Sequence, residues 1–183
     1  LVRLVDDLLE VSRISTGKLT LQRSRIPLQT VVDHAVEASL PMIGASEHQV
    51  ELQVAEQPVW IDGDLTRLAQ VLTNLLINAA KYTPRGGRIV LFAGVDGNDA
   101  VMRVSDSGHG IAPSMQQQIF DLFAQVDGQR EDAQAGLGIG LALVRQLLQM
   151  HGGDVECESL GVGHGSTFTA RLPMIAPALE RGH

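Results

Sequence analysis

Aromatic side chains are scarce in this chain: four Phe, one Trp and one Tyr, 3% of 183 residues. So few rings exclude a platform on which successive bases stack. Basic residues are also too few to neutralise a phosphate backbone, because 14 Lys and Arg face 21 Asp and Glu and leave a net charge of -7. Nucleic acid is therefore not an expected partner. Cysteine occurs once, at Cys157, which excludes an internal disulfide and a thiol cluster for a metal; a small core residue is its expected role. No window approaches the roughly 18 apolar residues of a membrane span, and no signal-peptide pattern opens the sequence. A soluble, cytoplasmic segment without membrane contact is expected. With 44% hydrophobic and 19% charged residues, it can bury one substantial core. Leu1 falls inside a helical pattern, so the native chain is expected to begin upstream, where a membrane anchor is compatible with what remains.

From Leu1 to about Ser15, apolar residues at mostly helical spacing alternate with Asp6, Asp7, Glu10 and Arg13, as in one helix of a bundle. Gly17 ends it. Residues 18–27 read as an extended connector, and an amphipathic helix follows over about Leu28–Gly44. The resulting division is 1–17 bundle helix, 18–27 connector, 28–175 main domain and 176–183 tail. Short strands are expected near Val50–Val54 and Val59–Ile61, and Asp64 stands where it can cap a longer helix. A hairpin over Arg88–Val95 and Ala100–Asp106 turns at Asp96, Gly97 and Asn98. The polar stretch Ala124–Ala135 reads as a lid, before a helix over about Gly138–His151 and strands near Asp154–Glu158 and Ser166–Leu172. Helices and mostly antiparallel strands arriving in groups predict an α+β fold, a two-layer α/β sandwich.

Three places carry chemistry. In the helix after Asp64, Leu65, Leu68, Leu72, Leu75, Leu76 and Ala79 form a core stripe, while Asn74, Asn78 and Lys81 share a neighbouring face. That row is either a solvated face or a set of amides and an amine for phosphate and a hard metal such as magnesium. Asp106 ends an alternating strand on its apolar side and leads into Ser107-Gly108-His109-Gly110. It either closes a tight turn or accepts a hydrogen bond from a buried ligand donor such as an adenine amine. Gly136, Leu137, Gly138, Ile139 and Gly140 open a helix, where bare amides suit an anion. Gly163, Gly165, Ser166 and Thr167 form a last glycine-rich turn, in which Thr167 either reaches a phosphate or caps the turn.

In order and spacing, NLLINAAKYTP (Asn74–Pro84), DSGHG (Asp106–Gly110), IFDLF (Ile119–Phe123), GLGIGLALV (Gly136–Val144) and GHGSTF (Gly163–Phe168) resemble the asparagine, glycine and phenylalanine boxes of sensor histidine kinases. The resemblance covers nearly the whole chain and implies the Bergerat ATP-binding fold. It implies magnesium on Asn78, phosphates near Asn74 and Lys81, and Tyr82 near the ribose or base. Asp106 would read adenine beside Gly108 and Gly110; Gly136, Leu137, Gly138 and Gly140 would frame lid and phosphates; Thr167 would support the adenine end. ATP and Mg2+ are the implied cofactors. Hydrolysing members of the same fold carry a glutamate one turn before the magnesium asparagine; here Asn74 stands there, and an amide is no general base. Phosphoryl transfer to a histidine on a dimerisation domain, with relay to a response regulator and a homodimeric parent, is the implied activity. Leu4–Leu21 resembles the end of the second dimerisation helix. None of His34, His48, His109, His151, His164 or His183 has the acidic and proline context of the acceptor, so no self-labelling is expected. The alternatives are a regulatory nucleotide-binding module without phosphotransfer, or an ATPase.

Overall fold

The computed structural model describes residues 2–122, 124 and 139–176. The expected lid, Phe123, Gly136, Leu137, Gly138 and the end of the tail lie outside the described residues, apart from Ala124. In chain order the elements are α1 (Val2–Ser15), β1 (Ser24–Pro27), α2 (Leu28–Ala45), β2 (Gln49–Val54), β3 (Trp60–Gly63), α3 (Leu65–Tyr82), β4 (Arg88–Asp96), β5 (Asp99–Asp106), α4 (Gly140–Met150), β6 (Asp154–Glu158) and β7 (Ser166–Pro173). Two short 3-10 turns, Pro113–Met115 and Gln118–Phe120, follow β5.

Five strands form one mixed sheet in the order β2-β4-β5-β7-β6, in which β2 runs parallel to β4 and the other pairs are antiparallel. Strand alternation sends Ile89, Leu91 and Ala93, then Ala100, Met102 and Val104, then Phe168, Ala170 and Leu172 to one face, where all are buried. The helices α2, α3 and α4 cover that face. Their own stripes, Val31, Val32 and Ala35, then Leu68, Leu72, Leu75 and Leu76, then Leu143, Val144 and Leu147, complete the core. This is the expected two-layer sandwich. The other face carries ion pairs instead: Arg171 reaches Glu156 and Asp96, each at 2.9 Å.

The helix ends explain why α3 and α4 lie as they do. Asp64 caps α3 by accepting from the Arg67 amide at 3.2 Å, and its second oxygen accepts from the Gln22 amide at 2.9 Å. The Asp64 amide donates to Nε2 of His151 at 3.1 Å, while Nδ1 of His151 faces the Leu147 carbonyl at 2.7 Å. A carbonyl can only accept, so Nδ1 carries the proton and the ring is neutral. His151 thus fastens the end of α4 to the start of α3.

One detail departs from the sequence reading. The connector contains a strand: β1 pairs antiparallel with β3, and together they form a separate two-stranded ribbon outside the main sheet. Helix α1 packs on α4, with Val11 buried and Glu10 accepting from Arg67 at 2.5 Å and Gln70 at 2.9 Å. Among the described residues no helix is long and apolar enough to cross a membrane.

Candidate functional site

The helical row on α3 comes together as its spacing requires, but its members differ in exposure. Asn74 is buried, at 8% exposure, and its side-chain amide points to the Gly140 carbonyl 3.5 Å away. Asn78, Lys81 and Tyr82, each one position or turn further on, are half-buried. The start of α4 stands against Asn74. That helix begins at Ile139 without a side-chain cap, so its first-turn amides are donors of the kind that take an anion. Among the described residues, a Cβ added to Gly140 would meet Asn74 Nδ2 at 3.8 Å, an ordinary van der Waals contact.

Asp106 closes the other end. Its Oδ1 accepts from the Gly108 amide at 2.9 Å and its Oδ2 from the Ser166 hydroxyl at 2.8 Å. Burial pushes the carboxyl above its ordinary range, and those bonds from Gly108 and Ser166 pull it partway back. The turn after it is packed backbone against backbone: a Cβ on Gly108 would lie 2.2 Å from the Tyr82 carbonyl oxygen, and one on Gly165 would lie 2.1 Å from that of Asp106. The His109 amide donates to the same Tyr82 carbonyl at 3.1 Å, so the end of α3 and the Asp106 turn are one unit. Gly110 packs beneath the Gly161 carbonyl.

Thr167 is placed differently from what the resemblance implies. Register pairs Asp106 with Ser166 and Ser105 with Thr167, so alternation puts Thr167 on the opposite face, where its hydroxyl lies 3.0 Å from that of Ser105. Ser166 holds the place beside Asp106. Gly136, Leu137 and Gly138, expected to frame the lid, lie outside the described residues. Cys157 is half-buried against the core, and burial, with Asp106 and Glu158 nearby, pushes its thiol up to about 12. It stays protonated and unreactive.

Residues 63–176 match the family described as histidine kinase-, DNA gyrase B-, and HSP90-like ATPases. The chain is 39% identical over 178 residues to the circadian input-output histidine kinase CikA of Synechococcus elongatus, covering 94% of this chain and 23% of CikA. It belongs to this ATPase family, on its sensor histidine kinase branch. The sensor protein SrrB of Staphylococcus aureus is 32% identical over 171 residues, covering 93% of this chain and 29% of SrrB. The solved full-length ShkA in complex with AMPPNP superposes with a TM-score of 0.82 at 29% identity, over 96% of this chain and 36% of ShkA. The fold is the Bergerat ATP-binding fold of these kinases, and the chain spans about a quarter of the length of the curated relatives it matches.

Within that fold, two hydroxyls escaped sequence reasoning. Ser166 was available to it: counting alternation back from Phe168 on a core-facing strand puts Ser166, not Thr167, on the side of Asp106. Ser159 was not. Its hydroxyl accepts from the Ile111 amide at 3.0 Å and donates to the Gly165 carbonyl at 2.6 Å, joining the Asp106 turn to the last glycine loop across 48 residues of sequence. Nothing local in sequence marks a lone serine for that work.

Proposed function

We propose that the chain is the catalytic domain of a protein-histidine kinase, which binds Mg-ATP and presents its γ-phosphate to a histidine on a dimerisation domain for relay to a response regulator. The observation that carries this reading is Asn74: a buried amide, set against the uncapped start of α4, at the position where hydrolysing members of the fold carry a glutamate. An amide orients phosphates but cannot take a proton from water near neutral pH.

The residues fit both cofactors. A half-buried carboxylate with one hydroxyl and one amide already on it still has lone pairs for an adenine amine, which assigns base reading to Asp106, supported by Ser166. The uncapped start of α4 beside Asn74 suits the phosphates, with Lys81 as a point charge and Tyr82 towards the sugar. Among the described residues no three His, Cys, Asp or Glu side chains cluster to hold an ion. Magnesium would thus take one amide oxygen, from Asn78, and complete its shell with phosphate oxygens and water. When bound, the metal neutralises charge that builds on the phosphates. Gly136, Leu137 and Gly138 are assigned to the lid side of the site by their place in the glycine box.

In the transfer, a ring nitrogen of the acceptor histidine bonds to the γ-phosphorus as its bond to the β,γ-bridging oxygen breaks. ADP leaves and the imidazole proton goes to solvent. The acceptor comes from outside this chain, and Val5, Leu8 and Leu9, exposed along α1, form the face that a helical partner would cover in a homodimeric parent.

Incubation with γ-labelled ATP tests the reading. The chain alone should take up no acid-labile label; a histidine-bearing helical hairpin supplied in trans should become labelled. Nucleotide binding without label on the hairpin would favour a regulatory binding module, and steady phosphate release would favour an ATPase.

A further inference from the structure

His48 lies just before β2, away from the row on α3 and from the Asp106 turn, and it is only 9% exposed. Its Nε2 stands 2.9 Å from the Thr83 carbonyl oxygen. The oxygen can only accept, so the ring donates through Nε2–H. Thr83 is the residue at which α3 ends, with extended backbone. The carbonyl immediately before it, that of Tyr82, accepts the His109 amide at 3.1 Å and touches the Gly108 backbone. Two successive carbonyls at the end of α3 are thus held from two sides, one by the glycine turn that follows Asp106 and one by His48.

We infer that His48 is a positioning residue for the nucleotide site: its bond to Thr83 fixes the end of α3, and through the Tyr82–His109 bond it fixes the Asp106 turn. This rests on the Mg-ATP reading above. The surroundings favour it. Thr83 is buried, its methyl group packs on Gly87, and the Ser107 hydroxyl accepts from the Arg88 amide at 2.9 Å, so the start of β4 leans on the same corner. Among the described residues neither His48 Nδ1 nor the Thr83 hydroxyl has a hydrogen-bond partner. The ring therefore reaches this corner through a single bond, and one atom can be tested.

Glutamine places its amide nitrogen near Nε2 of histidine, whereas the asparagine amide falls near Nδ1, too short to reach Thr83. Mg-ATP titrations at a temperature where all variants are folded should show His48→Ala and His48→Asn weakened about tenfold, as loss of a buried hydrogen bond allows. His48→Gln should bind within about twofold of the parent chain, on the same footing. The amide resonances of Gly108 and His109 should shift in the Ala and Asn variants and return in Gln. A merely structural histidine would lower the melting temperature of Asn and Gln alike and leave affinity unmoved. Should the Ala variant not fold, the Gln and Asn pair decides. Equal affinity in that pair, with the parent chain binding normally, overturns the inference alone; a parent chain that binds no nucleotide overturns the reading beneath it and this inference together.

Discussion

Asp106 sits where burial favours the neutral acid, while its bonds from Gly108 and Ser166 favour the carboxylate; burial is the larger effect, and the folded value lies above the ordinary 3.8. The folded state then holds the proton to higher pH than the unfolded chain. Its stabilising contribution is complete below 3.8 and is lost as pH rises through the folded value, so near neutrality the bare carboxylate costs the ligand-free fold. Asp106→Asn should raise the melting temperature of the ligand-free chain and weaken ATP binding at least tenfold. Unchanged affinity would remove the adenine-reading role. The glycines nearby separate two costs in the same way. Among the described residues Gly163 (φ 88°) has nothing within 4 Å of an added Cβ, whereas Gly165 (φ 69°) would drive it into the Asp106 carbonyl. Calorimetry should therefore find Gly163→Ala destabilised by roughly 1 kcal/mol, from backbone strain alone. Gly165→Ala should lose clearly more, and lose nucleotide affinity with it, because Asp106 must move.

At the scale of elements, α3 and α4 run in opposite directions, and α4 is pinned near both of its ends, by His151 against Asp64 at the start of α3 and by Gly140 against Asn74 at its middle. Burial holds the His151 ring below its ordinary 6.5, so the unfolded chain takes up a proton first as pH falls. The stability that this ring contributes is whole above 6.5 and is lost between that value and the lower folded one. His151→Ala should cost roughly 2 kcal/mol at pH 7.5, for two buried bonds, and flatten the melting temperature against pH below 6.5. The helices were legible because α3 shows a cap at Asp64 and an unbroken apolar stripe, and Gly17 marks a stop. The hairpin of β4 and β5 was legible from Gly97, whose positive φ makes the two-residue turn. Strand β1 was not: four residues are too few to show alternation, and its partner β3 lies more than thirty residues away. The same limit hid Ser159 and the corner at His48, whose contacts exist only after the chain has closed.

For the whole molecule, the pair between Glu10 and Arg67, with side chains 18% and 20% exposed, and the buried Val11 attach α1 to the helical layer. Glu10→Ala should lower stability by roughly 1 kcal/mol. Trypsin should then cut faster after Arg13 and Lys18, while nucleotide affinity stays within about twofold, since Asn74 and Asp106 keep their own anchors. Unchanged cleavage would mean that Val11 alone holds the helix. The joint to α1 and the connector both seat on the first turn of α3, at Arg67 and Asp64. Asn74 rides on the same 18-residue helix, ten positions beyond Asp64 and so about 15 Å along its axis. One 18-residue helix therefore carries the joint to α1 at its first turn and the Asn74 amide at mid-length, so a push on Arg67 meets no loop on its way to that amide.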